Sequence, residues 1–234
     1  MTLLSVNLNK IATLRNTRDV GYPDVARFGR IALDAGAHGL TVHPRPDERH
    51  IRAADVPIIA GVCNAAGVEF NIEGNPFEGR FMEHCREVRP TQATLVPDTL
   101  EQSTSDHGWD FAADRDRLTP IVEELRELGC RVSVFADHDA DMDAAAATGA
   151  DRVELYTEPY AADPSMLSKF AAAAERATAA RLHINAGHDL NLDNLAAFGG
   201  AVPGLLEVSI GHALIADALE LGMFEAVKRY LRCL

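Results

Sequence analysis

Short runs of apolar and β-branched residues alternate along this chain with longer segments of helical composition, and few folds accommodate so regular an alternation. Strand-like runs fall at Leu4–Leu8, Gly39–His43, Val68–Glu73, Ala93–Pro97, Arg131–Ala136, Arg152–Thr157, Leu182–Ala186 and Leu206–Ile210. Between them, composition predicts helices over Pro23–Ala35, Pro76–Val88, Asp114–Leu128, Met142–Thr148, Pro164–Ala180, Asn191–Phe198 and Ala213–Leu231. Asp55–Ala66 also reads as a helix, although Pro57 and the run Ile58-Ile59-Ala60 leave another reading open. Eight strands, each followed by a helix or a long loop, make a parallel sheet the economical arrangement. Gly36, Gly129 and Gly149 fall where a helix must stop and the next strand begin, a place that favours positive φ.

Such a sheet either stays open and doubly wound or closes into a (β/α)₈ barrel. A doubly wound nucleotide fold should carry a glycine fingerprint after its first strand, whereas here that strand runs into Asn9-Lys10-Ile11-Ala12-Thr13. Polar residues instead cluster at the C-terminal ends of nearly all the strands, which a barrel would gather at one mouth. The expectation is therefore a TIM barrel with additional helices, forming one catalytic domain over residues 1–234. That length, at 47% hydrophobic composition, suffices for one closed barrel.

The stretch Val42–Ile51, VHPRPDERHI, carries the densest chemistry. It delivers His43, Arg45 and His50 from a strand end into a loop stiffened by two prolines. Arginine's planar fork suits phosphate or carboxylate, and histidine exchanges protons near neutrality. The other strand ends add Asn7, Asn9, Lys10, Arg15 and Arg18; Asn71 and Glu73; Asp98, Thr104 and Ser105; Asp137 and His138; Glu154 and Glu158; Asn185 and His188; and Ser209 and His212. Gly187-His188 and Gly211-His212 repeat after strands seven and eight. There a barrel commonly binds phosphate at a glycine and a helix N-terminus, and Gly211 with His212 is the favoured cradle. Individually each of these residues could serve as a cap or a solvated turn, but collectively they make a catalytic cleft the better account.

A formal net charge of −13 disfavours nucleic acid as a partner and requires any anion site to be a local focus of positive potential. No apolar run is long enough to cross a membrane. Cys63, Cys85, Cys130 and Cys233 form no paired or metal-like motif and read as reduced thiols of a cytoplasmic protein.

The segments VNLNKIATLRNTR, TVHPRPDERHI, EFNIEG, LVPD, INAGHDL and IGHAL, in this order over essentially the whole chain, resemble the pyridoxine 5'-phosphate synthase family of vitamin B6 biosynthesis. The resemblance implies a (β/α)₈ barrel that condenses 3-amino-2-oxopropyl phosphate with 1-deoxy-D-xylulose 5-phosphate. Pyridoxine 5'-phosphate, inorganic phosphate and water are the implied products, with no cofactor and no metal. It also implies homo-octamers built from dimers, with extra helices at the subunit contacts. Carried across by motif, the catalytic residues are His43, Glu73 and His188. Contacts to the amino-ketone phosphate map to Asn7, Arg18, His188, Gly211 and His212, and those to the sugar phosphate to Arg45, His50 and Thr104. Asn9-Lys10 stands where many members have Asp-His, and Asp189 where they have glycine, and all three are retained as candidate substrate contacts.

The residue types suit that chemistry, because imine formation and ring closure need alternating proton donation and removal. The substrate brings its own amine, so no Schiff-base lysine is required, in keeping with only three lysines, Lys10, Lys169 and Lys228. Asp98–Asp110, with Gly108 and Trp109, reads as a lid. Three rival readings are a lysine-dependent aldolase using Lys10, a metal-assisted enzyme using Glu73, Asp137, His138, His188 or His212, and an inactive anion-binding oligomer.

Overall fold

The computed structural model describes residues 1–234 and closes eight parallel strands into a barrel in sequence order. The strands are β1 (Leu3–Asn7), β2 (Gly39–Val42), β3 (Glu69–Gly74), β4 (Gln92–Leu95), β5 (Arg131–Ala136), β6 (Arg152–Tyr156), β7 (His183–Gly187) and β8 (Leu205–Ile210). β1 pairs with both β2 and β8, which completes the circle and leaves no free edge. The helices are α1 (Asn9–Asn16), α2 (Val25–Asp34), α3 (Asp55–Ala66), α4 (Phe81–Val88), α5 (Phe111–Glu127) and α6 (Met142–Ala146). They continue with α7 (Glu158–Ala162), α8 (Leu167–Ala179), α9 (Leu195–Ala201), α10 (His212–Leu221) and α11 (Met223–Arg232).

Alternation along the strands sorts side chains into two layers of different character. Leu4 and Val6, Leu40 and Val42, Phe70 and Ile72, Val132 and Val134, and Val208 and Ile210 are buried in the layer beneath the helices. The intervening positions face the axis, and most of them are polar. Ser5 and Thr41 hydroxyls meet at 2.7 Å, Thr94 donates to Asn71 at 3.1 Å, and Asn185 on β7 donates to Gln92 on β4 at 3.2 Å. Hydrogen bonds between strands so far apart in the ring can only cross the interior. Near the N-terminal end of the barrel, Arg152 donates to Asn185 at 2.9 Å and to Glu207 at 3.1 Å, while Arg131 forks onto Glu69 at 3.0 and 2.7 Å.

The helical shell departs from the sequence reading in five places, two of them simple: the helix expected over Pro76–Val88 begins at Phe81, and Glu158–Ala162 forms a short helix that was not expected. The segment after β1 is a helix, α1, whose Arg15 pairs with Asp55 at 2.5 Å and whose Asn16 donates to three carbonyls of the β2 loop. The single helix expected over Ala213–Leu231 is two, because Gly222 adopts φ 79 and starts α11 in a new direction. The helix expected at Asn191–Phe198 begins at Leu195, after a turn in which the Asn191 side chain accepts from the backbone of Asp193 and Asn194. Asp55–Ala66 is helical, with Pro57 tolerated in its first turn. No helix is long and apolar enough to cross a membrane.

Arg152 is the main partner of a carboxylate enclosed by the barrel, and burial pushes Glu207 up to about 7. Arg152→Ala is expected to destabilise the protein by about 3 kcal/mol, because the buried Glu207 is left with only the longer Arg131 contact at 3.6 Å. Arg152→Met combined with Glu207→Leu should recover most of that loss, both read from the urea-unfolding midpoint.

Candidate active site

A cavity of about 480 Å³ opens at the C-terminal end of the barrel. Its position follows from chain direction, since parallel strands deliver all eight following loops to one face. Twelve of the thirteen candidate residues line it: Asn7, Asn9 and Lys10 from β1 and the start of α1, His43, Arg45 and His50 after β2, and Glu73 on β3. The others are Thr104 after β4, His188 and Asp189 after β7, and Gly211 and His212 after β8.

His43 stands between two carboxylates. Its Nε2 lies 3.2 Å from Asp98 Oδ2, and its Nδ1 lies 3.9 Å from Glu73 Oε2. Glu73 also accepts from Asn7 Nδ2 and Ser209 Oγ, both at 3.2 Å. The Asn9 side-chain oxygen accepts the His43 backbone N–H at 2.9 Å, and the Asn9 N–H donates to the Asn7 side chain at 3.0 Å. One hydrogen-bonded relay thus fixes both His43 and Glu73. Asn9 is the element that ties β1 to β2, with its carbonyl already engaged by protein.

The two carboxylates beside His43 differ in environment. Burial pushes the Glu73 carboxyl above its usual range and the Asp98 charge adds to this, against the pull of His43, Ser209 and Asn7. Burial would raise Asp98 too, but His43 and Arg45, whose Nη1 is 3.2 Å away, outweigh it and hold Asp98 low. The negative charge of Asp98, 3.2 Å from Nε2 of His43, favours the tautomer with the ring proton on that nitrogen, which leaves the Nδ1 lone pair on the Glu73 side. Deeper in the barrel, burial and then the charges of Glu73 and Glu207 push the Glu154 carboxyl well above its ordinary value.

His188 and Asp189 occupy left-handed backbone, with φ 79 and 58. Thr157 Oγ1 holds the carbonyls of Gly187 and His188 at 2.7 and 2.5 Å, and Asn194 Nδ2 donates to the Asp189 carbonyl at 3.1 Å. Such bonds hold a conformation that glycine would adopt without strain. The His188 ring packs 5.3 Å from both Phe135 and Tyr156, and burial pushes its pKa down to about 4. Packing inside the barrel favours glycine at 187, since a Cβ there would stand 2.5 Å from Glu154 Oε1 and 3.1 Å from the Ser209 carbonyl. At Gly211 a Cβ would crowd the Asn7 side chain at 3.1 Å.

Buried His50 is pushed down to about 3, chiefly by burial and then by His43 and Arg45. Its Nδ1 accepts the Ile51 N–H at 3.0 Å, so Nε2 carries the ring proton as a neutral donor. Arg45 donates Nη2 to the carbonyls of Thr99 and Gln102, and its Nε is buried without a partner. His212 is exposed as the first residue of α10, and Gly211 is the residue before that helix.

Arg18 is the exception, because it is exposed beyond the end of α1 and does not line the cavity of its own chain. α1 ends at Asn16, so the chain has already turned away from the mouth. Several other strand-end residues serve the frame instead. Arg15 pairs with Asp55, Asp137 accepts the Gly108 N–H at 3.1 Å, the His138 carbonyl accepts from Arg176, and Asn185 lies inside the barrel. Glu158 begins α7 and is also outside the lining. No three His, Cys, Asp or Glu side chains group so as to hold a metal ion.

Asp98, Glu154, Ser209 and Arg49 belong to the site without having been assigned roles from sequence. The motif LVPD placed a carboxylate just past β4, and the alternation Arg152, Glu154, Tyr156 put an acid on the inward face; both signals were present. The contacts of Ser209 and Arg49 depend on strands or loops distant in sequence.

The chain matches the family model described as pyridoxal phosphate biosynthesis protein PdxJ over residues 4–234. A protein of Xanthomonas campestris pv. campestris named pyridoxine 5'-phosphate synthase is 54% identical over 244 residues, covering 98% of this chain and 95% of that one. One of the same name from Allorhizobium ampelinum is 53% identical over 241 residues, covering 98% and 96%. Among solved structures, the tryptophan synthase A-subunit of Pyrococcus furiosus superposes with a TM-score of 0.68 at 12% identity, covering 99% of this chain and 97% of that one. That last likeness concerns the fold alone, whereas the family match and the close relatives run nearly end to end: the chain belongs to the pyridoxal phosphate biosynthesis protein PdxJ family.

Proposed function

We propose that the chain is a pyridoxine 5'-phosphate synthase, condensing 3-amino-2-oxopropyl phosphate with 1-deoxy-D-xylulose 5-phosphate and releasing inorganic phosphate and water. The observation that carries the reading is the placement of His43, Glu73 and His188, from three different strands, around one cavity that also holds Arg45, His50 and Lys10. Three potential proton carriers with several anion-binding groups suit two phosphorylated ketones better than a neutral substrate.

The chemistry follows from the substrates' functional groups. The amine of one attacks the ketone of the other, and water leaves as the imine forms. Glu73, with its raised pKa, is suited to give a proton to the departing hydroxyl, and His43 Nδ1 to take one from nitrogen or the adjacent carbon. Loss of the sugar's phosphate and an aldol-type closure with loss of water complete the aromatic ring. Neutral His188 offers an N–H to an oxygen on which negative charge develops. The loop Asp98–Asp110 acts as the lid, rooted by Trp109, whose Nε1 donates to the Leu95 carbonyl at 2.8 Å.

We infer homo-octamers built from dimers. The assembly would account for Arg18, which lies outside its own cavity on a segment where Leu14, Val20 and Tyr22 are exposed. A subunit seated there would cover that apolar surface and bring Arg18 toward a phosphate. The reading places the enzyme in the cytoplasm, in keeping with four cysteines that form no disulfide.

An assay with both substrates, following pyridoxine 5'-phosphate and phosphate release, is expected to give turnover, and its absence would sink the reading. His43→Ala and Glu73→Gln are each expected to slow turnover at least about tenfold with circular dichroism unchanged. Light scattering should return eight times the chain mass, and introducing a charge by Val20→Asp or Tyr22→Asp should lower it.

His188 also predicts a pH effect. Its folded pKa of about 4 lies below the ordinary 6.5, so the unfolded chain binds a proton in this window that the folded one refuses. The contribution is present above pH 6.5 and is lost as pH falls through that window to about 4. His188→Asn should therefore flatten the decline of melting temperature between pH 6.5 and 4 relative to the parent protein.

A further inference from the structure

Arg49 shares the β2 loop with Arg45 and His50 and lines the same cavity, yet no step above uses it. Its Nη1 donates to the Gln102 carbonyl and its Nη2 to the Leu100 carbonyl, each at 2.8 Å. Its Nε donates to Asp47 Oδ2 at 2.7 Å, and its backbone N–H to Asp47 Oδ1 at 3.2 Å, so a neighbour two residues back aims the fork. Arg45 reinforces the grip by donating to Thr99 and Gln102. Three main-chain carbonyls of the β4–α5 loop are thus satisfied by two guanidinium groups.

The gripped residues lead directly into Ser103, Thr104 and Ser105, all of which line the cavity. Hydrogen bonds fade over a few tenths of an ångström, so where Gln102 is held decides whether the next three residues can reach an anion. Two divergent donors in one plane suit this task. A lysine ammonium in Arg49's place keeps the charge but cannot span both carbonyls in the same way.

We propose that Arg49 is a positioning residue for the sugar-phosphate half of the site: by holding Leu100 and Gln102 it sets Ser103–Ser105 against the phosphate. This rests on the synthase reading, which places that phosphate beside Arg45, His50 and Thr104. The role is exerted through the loop and not through contact with the substrate. It therefore belongs to one substrate and leaves the amino-ketone phosphate at the β7–β8 side unaffected.

The test compares Arg49→Lys, Arg49→Ala and Asp47→Ala with the unaltered protein, by calorimetric binding of 1-deoxy-D-xylulose 5-phosphate, steady-state kinetics and amide hydrogen exchange. Arg49→Lys and Arg49→Ala are both expected to weaken the sugar phosphate, in Kd and in KM, at least about tenfold, as for a lost pair of charge-assisted hydrogen bonds. KM for 3-amino-2-oxopropyl phosphate should stay within about twofold, and exchange should accelerate in residues 99–106 alone. Asp47→Ala, which removes only the aiming group, should move the same quantities less. Rescue by Arg49→Lys would overturn the proposal in favour of a direct charge contact, and unchanged loop exchange or an equal rise in both KM values would also overturn it. If the unaltered protein binds the sugar phosphate without forming product, the synthase reading fails, while Kd and exchange still decide the role of Arg49. If it does not bind the sugar phosphate, both fail.

Discussion

Hydrogen bonds that cross the barrel axis are the constraint on which the rest of the molecule depends. An interior lined by Asn, Gln, Arg and Glu is tenable only if most of its polar groups meet partners, because an unmet one costs about 1–3 kcal/mol and an unpaired charge more; Ser133 Oγ, Arg152 Nε and Glu154 Oε2 are the buried strand atoms left without one. Closure of the ring supplies most of those partners: Gln92 reaches Asn185, Arg152 reaches Glu207, and Ser209 and Asn7, on the adjoining strands β8 and β1, each hold one oxygen of Glu73. The fold and the candidate site are therefore parts of one network. The bonds that orient Glu73 at the mouth continue the pattern that fills the barrel below.

Electrostatics follow the same geometry. A chain with net charge −13 offers little general attraction to anions, so the cavity must create its own. Lys10, Arg45 and Arg49, with histidines around them, provide that local field. In the same end of the barrel, His43 and Arg45 hold the Asp98 carboxyl low while burial among acids pushes Glu154 up. Identical carboxyl chemistry is thus shifted down in one place and up in another by its surroundings.

Most of this arrangement was legible from residue order. Eight strands, their termini and the convergence of His43, Glu73, His188 and Gly211 could be read because chain direction alone sends parallel strand ends to one face. Local backbone events were less visible. Gly222 divides a segment whose composition is helical throughout, and Asn191 delays α9 through side-chain bonds that compete with the helix. Arg18 illustrates the limit within the site: adjacency to a functional motif gave its number but not its direction, which α1 sets. Asn9 was read as a substrate contact, and its carbonyl is engaged in holding His43, a pairing between strands that motif order does not reveal.

The carboxyl of Glu154 fills the space that a side chain at position 187 would need. Two positions on neighbouring strands thereby share one volume, and substitutions at them are not independent. A methyl group at 187 needs the acid at 154 to shorten or turn aside and still meets the Ser209 carbonyl at 3.1 Å, whereas losing the acid alone leaves a void beside a bare backbone. Evolutionary paths through this wall of the barrel therefore run through coordinated pairs of changes, which narrows the routes by which such a site can be remodelled one residue at a time.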